Sequence, residues 1–198
     1  MHVRQRHQKL IGFVLVVFTL AAATHALMIK IPLKRLASES DAIFIGRVQS
    51  VRCEWSLDKR LILSIVTVRV QETLKGHRIV PDIILEVPGG TLGDLSLKVT
   101  NMPTFHEKEE VLVFLRSITN VAEASHSFTV AQNYIPSYEV FGKAQGKYAI
   151  DADGMVRKSG YETLTEEENP ETLLSLESLK SQIRSTLKET PSKRQRNR

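Results

Sequence analysis

Cysteine is almost absent from this chain of 198 residues, which has a single one at position 53. An intramolecular disulfide is therefore excluded, so packing must stabilise the fold. We expect Cys53 to be a small buried apolar residue, with a reactive thiol or an intermolecular disulfide as the alternatives. After the N-terminal apolar run, no second apolar run approaches the length of a membrane span.

A strong charge of one sign is also lacking once the two ends of the chain are set aside. The first 26 residues hold three of the 27 basic residues and none of the 22 acidic ones, and the last eight residues hold four basic ones. The remaining body has 20 basic against 22 acidic residues. This balance argues against a nucleic-acid-binding face, so we predict no nucleic-acid partner. Residues 191–198 are predicted to be a disordered basic tail, with contact to an anionic surface or an acidic partner as the alternative.

The residue patterns of known catalytic and metal sites are missing as well. The densest polar cluster, at His106-Glu107, lacks the second histidine of a zinc-binding helix, because Glu110 stands four residues after His106. Asp151-Ala152-Asp153-Gly154 lacks carboxylates at the first and last positions of a calcium loop and indicates a hairpin turn instead. The sequence therefore predicts a protein that is not an enzyme, with no catalytic residue, metal ligand or cofactor.

The N-terminus has the form of a secretory signal peptide. Arg4, Arg6 and Lys9 precede an apolar run over residues 10–23, and small residues follow it. We predict a signal peptide over residues 1–26, cleaved after Ala26 or Ala23. The protein would then be secreted or periplasmic, with no stable membrane insertion after cleavage. An uncleaved anchor is the alternative, although spanning a bilayer needs about 20 apolar residues.

The body of the chain consists of short segments with β-strand character, separated by turn residues. Alternation of Val66, Val68 and Val70 with polar residues is typical of a strand with one buried face. Gly46 is predicted to lie at a bulge, and Pro88-Gly89-Gly90 to form a turn. We predict a short helix at Leu33–Glu39 and strands at Ala42–Trp55, Leu61–Thr73, Asp82–Val87, Leu95–Val99, Val111–Leu115, Ser127–Ala131, Tyr138–Gly142, Lys147–Ile150 and Met155–Lys158.

The pattern changes to a helical one near the C-terminus. Apolar residues from Leu173 to Leu187 recur at spacings of three and four, which is one amphipathic stripe. Asn169 and Pro170 suit the start of a helix running from Pro170 to Glu189. We therefore predict a mainly β fold: a small antiparallel OB-like barrel over residues 27–160, with a C-terminal amphipathic helix within residues 161–190 that packs on it. A helix that binds a partner is the alternative.

The order of these segments resembles the netrin-like module, whose best-known members are the tissue inhibitors of metalloproteinases. The matching stretches are SDAIFIGRVQSV, VTVRVQETLKG, DIILEVPGG and EEVLVFLRS. The chain is still more similar to a group of exported bacterial proteins of unassigned function, which share Lys75-Gly76, the Pro-Gly-Gly turn and Gln145-Gly146-Lys147-Tyr148. The resemblance spans about 110 residues and implies the fold rather than an activity.

One departure from the inhibitors affects what the resemblance implies. Those proteins chelate the catalytic zinc of the protease with an N-terminal cysteine, whereas this mature chain would begin near Leu27 and has only the internal Cys53. Inhibition of a protease would therefore have to be steric.

The Pro88–Leu95 turn and the Thr100–Lys108 loop form the candidate partner-binding surface, because glycine lets a backbone approach a partner closely and proline stiffens an apolar anchor. The candidate residues are Pro88, Gly89, Gly90, Gly93, Pro103 and Phe105. The alternative is that these residues only shape turns and fill the mouth of the barrel.

We expect an exported, non-enzymatic binding module whose partner is an exported protein. The first alternative is a steric regulator or inhibitor of a secreted metalloprotease, which would be the partner. The second is a periplasmic hydrolase, which would need a convergent polar pocket that the sequence does not predict.

Overall fold

The fold of this chain is given by a computed structural model, which describes residues 29–76, 81–118, 137–158 and 174–189. The predicted signal peptide, the predicted strand Ser127–Ala131 and the basic tail lie outside these ranges. No helix within the described ranges has the length and apolar character that crossing a membrane requires. The elements are α1 (Leu33–Glu39), β1 (Ala42–Trp55), β2 (Ile62–Lys75), β3 (Asp82–Pro88), β4 (Gly90–Leu92), β5 (Leu95–Leu97), β6 (Glu110–Ser117), β7 (Ser137–Val140), a 3-10 helix (Lys143–Gly146), β8 (Lys147–Ile150), β9 (Met155–Arg157), β10 (Leu174–Ser175) and α2 (Leu176–Glu189).

Five strands close into a barrel. Their order is β1-β2-β3-β7-β6, and β6 pairs again with β1. Closure leaves no free edge along the paired lengths of the strands. The prediction of a mainly β, OB-like barrel with a short helix before it and a helix after it is confirmed. The barrel is not wholly antiparallel, however, because β3 and β7 run parallel.

The long strand β1 bends at Gly46, as the sequence predicts. The β1–β2 register shifts between Ile45 and Gly46, and a Cβ atom on Gly46 would lie 2.5 Å from the carbonyl oxygen of Arg69. Only glycine allows the two backbones to approach this closely. The bend lets one strand serve both the closed barrel and the hairpin that extends beyond it.

Two apolar clusters lie on the two faces of the barrel wall. Inside the barrel, Phe44, Val68 and Leu85 belong to one cluster, together with the other inward-facing side chains of the strands. Outside it, Leu179 and Ile183 of α2 pack with Leu36 of α1 against the outer faces of β1 and β6. The C-terminal stripe therefore docks on the barrel, as predicted. Residues Val111 to Leu115 of β6 are all buried, because this strand contributes to both clusters.

Most strand ends differ from the sequence prediction by one to two residues, and two larger differences lie at the C-terminal helix and at Pro88-Gly89-Gly90. The C-terminal helix begins at Leu176 rather than at Pro170, because Leu174 and Ser175 form β10 and pair with β9. Pro88 ends β3 and Gly90 begins β4, so Pro88-Gly89-Gly90 joins two strands and does not reverse the chain. The reversal comes at Gly93 and Asp94, between β4 and β5.

Candidate functional site

A cleft of about 1050 Å³ opens at one end of the barrel. We call it the barrel-mouth cleft. Side chains of β1 and β2, the end of β3, the β4–β5 hairpin and residues 98–106 line it. Five of the six candidate residues lie along this cleft, namely Pro88, Gly89, Gly90, Pro103 and Phe105. The fold thus brings together two segments that the sequence keeps apart.

Gly89 and Gly90 fix the hairpin against the barrel. Their φ angles are +110° and +140°, in the region that favours glycine. The hydroxyl of Ser64 donates a hydrogen bond of 2.7 Å to the carbonyl oxygen of Gly89. A Cβ atom on Gly90 would lie 2.6 Å from Sγ of Cys53 and 2.7 Å from Oγ of Ser64. These glycines are needed for close packing within the chain, which is the alternative role that the sequence left open.

Gly93 lies apart from the other candidates, at the turn of the hairpin. It is exposed, and a Cβ atom there would meet nothing within 4 Å. Its φ of +60° is the only structural demand at this position.

Pro103 and Phe105 point inward rather than outward. Both are buried, and Phe105 belongs to the apolar cluster inside the barrel. Neither side chain protrudes as an anchor for a partner. This placement fits the alternative that they fill the mouth of the barrel.

A buried lysine holds the wall of the cleft in place. Lys147 is only 3% exposed, and its ammonium group donates to the carbonyl oxygen of Thr104 at 2.5 Å and to Oε1 of Glu109 at 2.6 Å. It also lies 4.6 Å from the centre of the Phe105 ring, within cation–π range. Burial lowers the pKa of Lys147, while the hydrogen bond to Glu109 opposes that change. Sequence patterns pointed to this lysine only as part of the motif Gln145-Gly146-Lys147-Tyr148.

The neighbouring residues of that motif also have internal contacts. Gln145 is fully buried, and its side-chain amide donates to the carbonyl oxygen of Ile29 at 2.9 Å and accepts from the backbone N–H of Ile31 at 2.6 Å. A Cβ atom on Gly146 would lie 1.9 Å from the carbonyl oxygen of Phe141. Gln145-Gly146-Lys147-Tyr148 is therefore a structural motif that ties the segment before α1 and the 104–109 loop to the barrel.

Large apolar side chains are exposed on the two hairpins beside the cleft, and sequence patterns alone did not single them out. Trp55 is 40% exposed, Leu57 68%, Leu61 43% and Leu95 56%. The first three lie on the β1–β2 hairpin, and Leu95 lies on the β4–β5 hairpin, whose Gly90 packs against Cys53. We call these four residues the apolar rim. The sequence feature that could have indicated this exposed surface is Leu57, an apolar residue in a turn that is otherwise polar.

Polar groups within the β1–β2 turn fix its shape and leave the leucines outside. The hydroxyl of Ser56 donates to Oδ1 of Asp58 at 2.6 Å and accepts from the N–H of Leu61 at 3.0 Å. The Ser56 hydrogen bond, followed by one from the backbone N–H of Arg60, lowers the pKa of Asp58. The turn is thus held by its own side chains, and Leu57 is presented to solvent.

A second cavity, of about 500 Å³, shares Pro88 and Pro103 with the cleft. Glu86, which is 8% exposed, and Arg116 also line it. The guanidinium of Arg116 lies 4.4 Å from the centre of the Phe141 ring and 3.7 Å from a carboxylate oxygen of Glu139. This cavity is about half the volume of the cleft.

The reactive side chains near the cleft do not converge. Sγ of Cys53, which is half-buried, lies 3.7 Å from Oγ of Ser64, and His106 is exposed in the loop. Among the described residues, no group of three His, Cys, Asp or Glu side chains is placed to hold a metal ion. A shaped cavity with an apolar border is suited to binding.

No protein-family model matches the sequence, and no curated protein matches it at significant similarity.

Proposed function

We propose that this protein is an exported, non-enzymatic binding module that contacts a protein partner through the barrel-mouth cleft and its apolar rim. Export rests on the signal-peptide pattern of residues 1–26. The observation that carries the binding role is the placement of exposed apolar side chains. Within the described residues, four of the five large apolar side chains that are exposed belong to the two hairpins beside the cleft.

The rim suits a protein partner for energetic reasons. Apolar groups that protrude from a fixed turn lose little conformational entropy on binding, and Trp and Leu side chains bury large areas. The cleft beside them offers backbone groups and exposed hydroxyls, such as those of Thr91 and Thr100, that can pair with the polar groups of a partner.

Crosslinking capture from the exported proteins of the producing cell tests this proposal. The bait is the predicted mature chain, and the rim variant is Leu57→Ser with Leu61→Ser. The matched control is Ile29→Ser, because Ile29 is 82% exposed and lies before α1, outside the two hairpins that carry the rim. We expect the rim variant to reduce capture of a partner by about tenfold or more and the control to leave it unchanged.

Equal capture by the rim variant and the wild type would contradict the proposed surface. If the captured protein is a metalloprotease that loses activity when this chain is added, the steric regulator is the correct form of the function. If the bait captures nothing at micromolar concentration, a protein partner is excluded at that affinity.

A further inference from the structure

The strand β1 extends beyond its partner β6 and leaves an edge at the mouth of the barrel. Pairing with β6 ends at Arg47, and the N–H and C=O groups of Val48 bond to Glu109 and Lys108. In the described part of the chain, residues 50–55 pair with β2 alone. Among the described residues, their other side is therefore the edge of a sheet, which is a template for pairing with another strand.

The register of the hairpin shows which backbone groups face that edge. The N–H of Ser56 donates to the carbonyl oxygen of Leu61 at 2.8 Å, so this pair bonds across the hairpin. Bonding alternates along an antiparallel ladder. The N–H and C=O groups of Val51, Cys53 and Trp55 consequently point away from β2. The carbonyl oxygen of Ile62, opposite Trp55, agrees with this because it accepts from Gly89 on the β3 side.

We propose that two copies of this chain associate through this edge, with β1 antiparallel to β1 of the second copy about a two-fold axis at Cys53. The inference goes beyond the proposed function and does not depend on it. In this register Cys53 lies opposite Cys53 of the second copy, and Val51 lies opposite Trp55. The N–H and C=O groups that point away from β2 in one copy then lie opposite the same groups of the second copy, giving up to about six hydrogen bonds. A shift in register in either direction pairs fewer of them.

Charge complementarity selects the same register. On the other face of the strand, Arg52 lies opposite Glu54 of the second copy, and symmetry repeats the pair. A shift of two residues in one direction would place Arg52 opposite Arg52, and in the other direction Glu54 opposite Glu54. Directly opposed like charges destabilise a strand pair, and opposite charges stabilise it. Both side chains also have contacts within their own chain, and it is their charges that distinguish one register from another.

The symmetry has a consequence for binding. A two-fold axis perpendicular to the joined sheet leaves each face of the sheet on the same side in both copies. Val51 and Cys53 line the barrel-mouth cleft, so the two clefts would open on the same side of the dimer. The assembly would then present two binding sites to one surface.

A charge-reversal series tests the proposal. The purified protein is examined by sedimentation velocity from about 1 to about 100 µM, a range that covers weak dimers. We expect a dimer for the wild type and at least about tenfold weaker association for Arg52→Glu, because two attractive pairs become repulsive. Glu54→Arg should have the same effect, and the double variant R52E/E54R should restore association. Circular dichroism confirms that each variant is folded.

Amide hydrogen exchange then locates the interface. Protection that rises with protein concentration is expected at Val51, Cys53 and Trp55, while Arg52 and Glu54, whose amides face β2, should not change. A monomer at all concentrations would overturn the proposal and leave the edge to a strand of another protein. The proposal would also be overturned if the single charge reversals left dimer association unchanged. The same holds if the double variant R52E/E54R did not restore association.

Discussion

Replacing Lys147 with methionine should loosen the wall of the cleft and destabilise the whole domain. The substitution keeps an apolar side chain of similar length but removes the ammonium group. The carbonyl oxygen of Thr104 and Oε1 of Glu109 would then lose the Lys147 donor, while Oε2 of Glu109 keeps its hydrogen bond from the backbone N–H of His106 at 3.0 Å. A buried charge left without its partner is what makes such a change unfavourable.

The structure sets the magnitude of this effect. Breaking a buried ion pair by removing one partner lowers the free energy of unfolding by about 3 to 5 kcal/mol. The side chain of Glu109 is 17% exposed, against 3% for Lys147, so water can partly solvate the remaining carboxylate. We therefore expect a loss of about 3 kcal/mol, at the lower end of that range.

Urea denaturation followed by circular dichroism measures this loss, provided that the slope with urea is unchanged. The control is Lys34→Met, because the 3.4 Å pair of Lys34 with Glu189 is exposed and should contribute less than about 1 kcal/mol. Combining Lys147→Met with Glu109→Gln should lower stability by less than the sum of the two single effects, because they share one interaction. A loss below about 1 kcal/mol for Lys147→Met, or strict additivity, would refute the reasoning.

Three further predictions concern the same region. Gly90→Ala should lower the free energy of unfolding by about 2 kcal/mol or more, because its φ of +140° and its contact with a thiol exclude a Cβ atom. Gly93→Ala, where φ is +60° but nothing lies within 4 Å, should have a clearly smaller effect in the same urea assay; equal losses would contradict the packing argument. Gln145→Ala should release residues 29–31 from the barrel, which would appear as faster amide hydrogen exchange there, and should lower the free energy of unfolding by about 2 kcal/mol. Unchanged exchange would mean that the hydrogen bonds of Gln145 do not hold this segment. Because burial lowers the pKa of Lys147 below its ordinary 10.5, the unfolded chain binds more protons between the two values, so stability should rise with pH in that window. Urea denaturation measures the free energy of unfolding of the wild type and of Lys147→Met at neutral pH and at rising pH up to about 10.5. The wild-type value minus the variant value should increase with pH. A decrease with pH would show that the lysine pKa is not lowered.

Local patterns were enough to predict most strands and the first helix. The alternation in β2 and the glycine at position 46 describe interactions between residues that are near each other along a strand or on its direct neighbour. The same applies to the hairpin between β8 and β9 and to the apolar stripe of α2. The start of that helix could not be predicted, because Leu174 takes part in a sheet with Val156 instead. Pairing with a distant strand overrides local helical preference.

The candidate site was predicted only in part for a related reason. Turn chemistry pointed to the glycines at 88–93 and to the 100–108 loop, and the fold does place both segments at one cleft. Turn chemistry could not show that Phe105 faces inward, because a phenylalanine in a loop is equally consistent with an anchor and with a core residue. The apolar rim was missed because exposure is a property of the folded chain.

The sequence by itself determined the class of fold, since hydrophobic periodicity and turn residues act over a few positions. It also determined that no disulfide within the chain can contribute, because there is a single cysteine. Only the tertiary structure decided what Gln145 and Lys147 do, which strand edge is unpaired among the described residues and which apolar groups are exposed on the hairpins beside the cleft. These features depend on contacts between residues far apart in sequence, which no local pattern specifies.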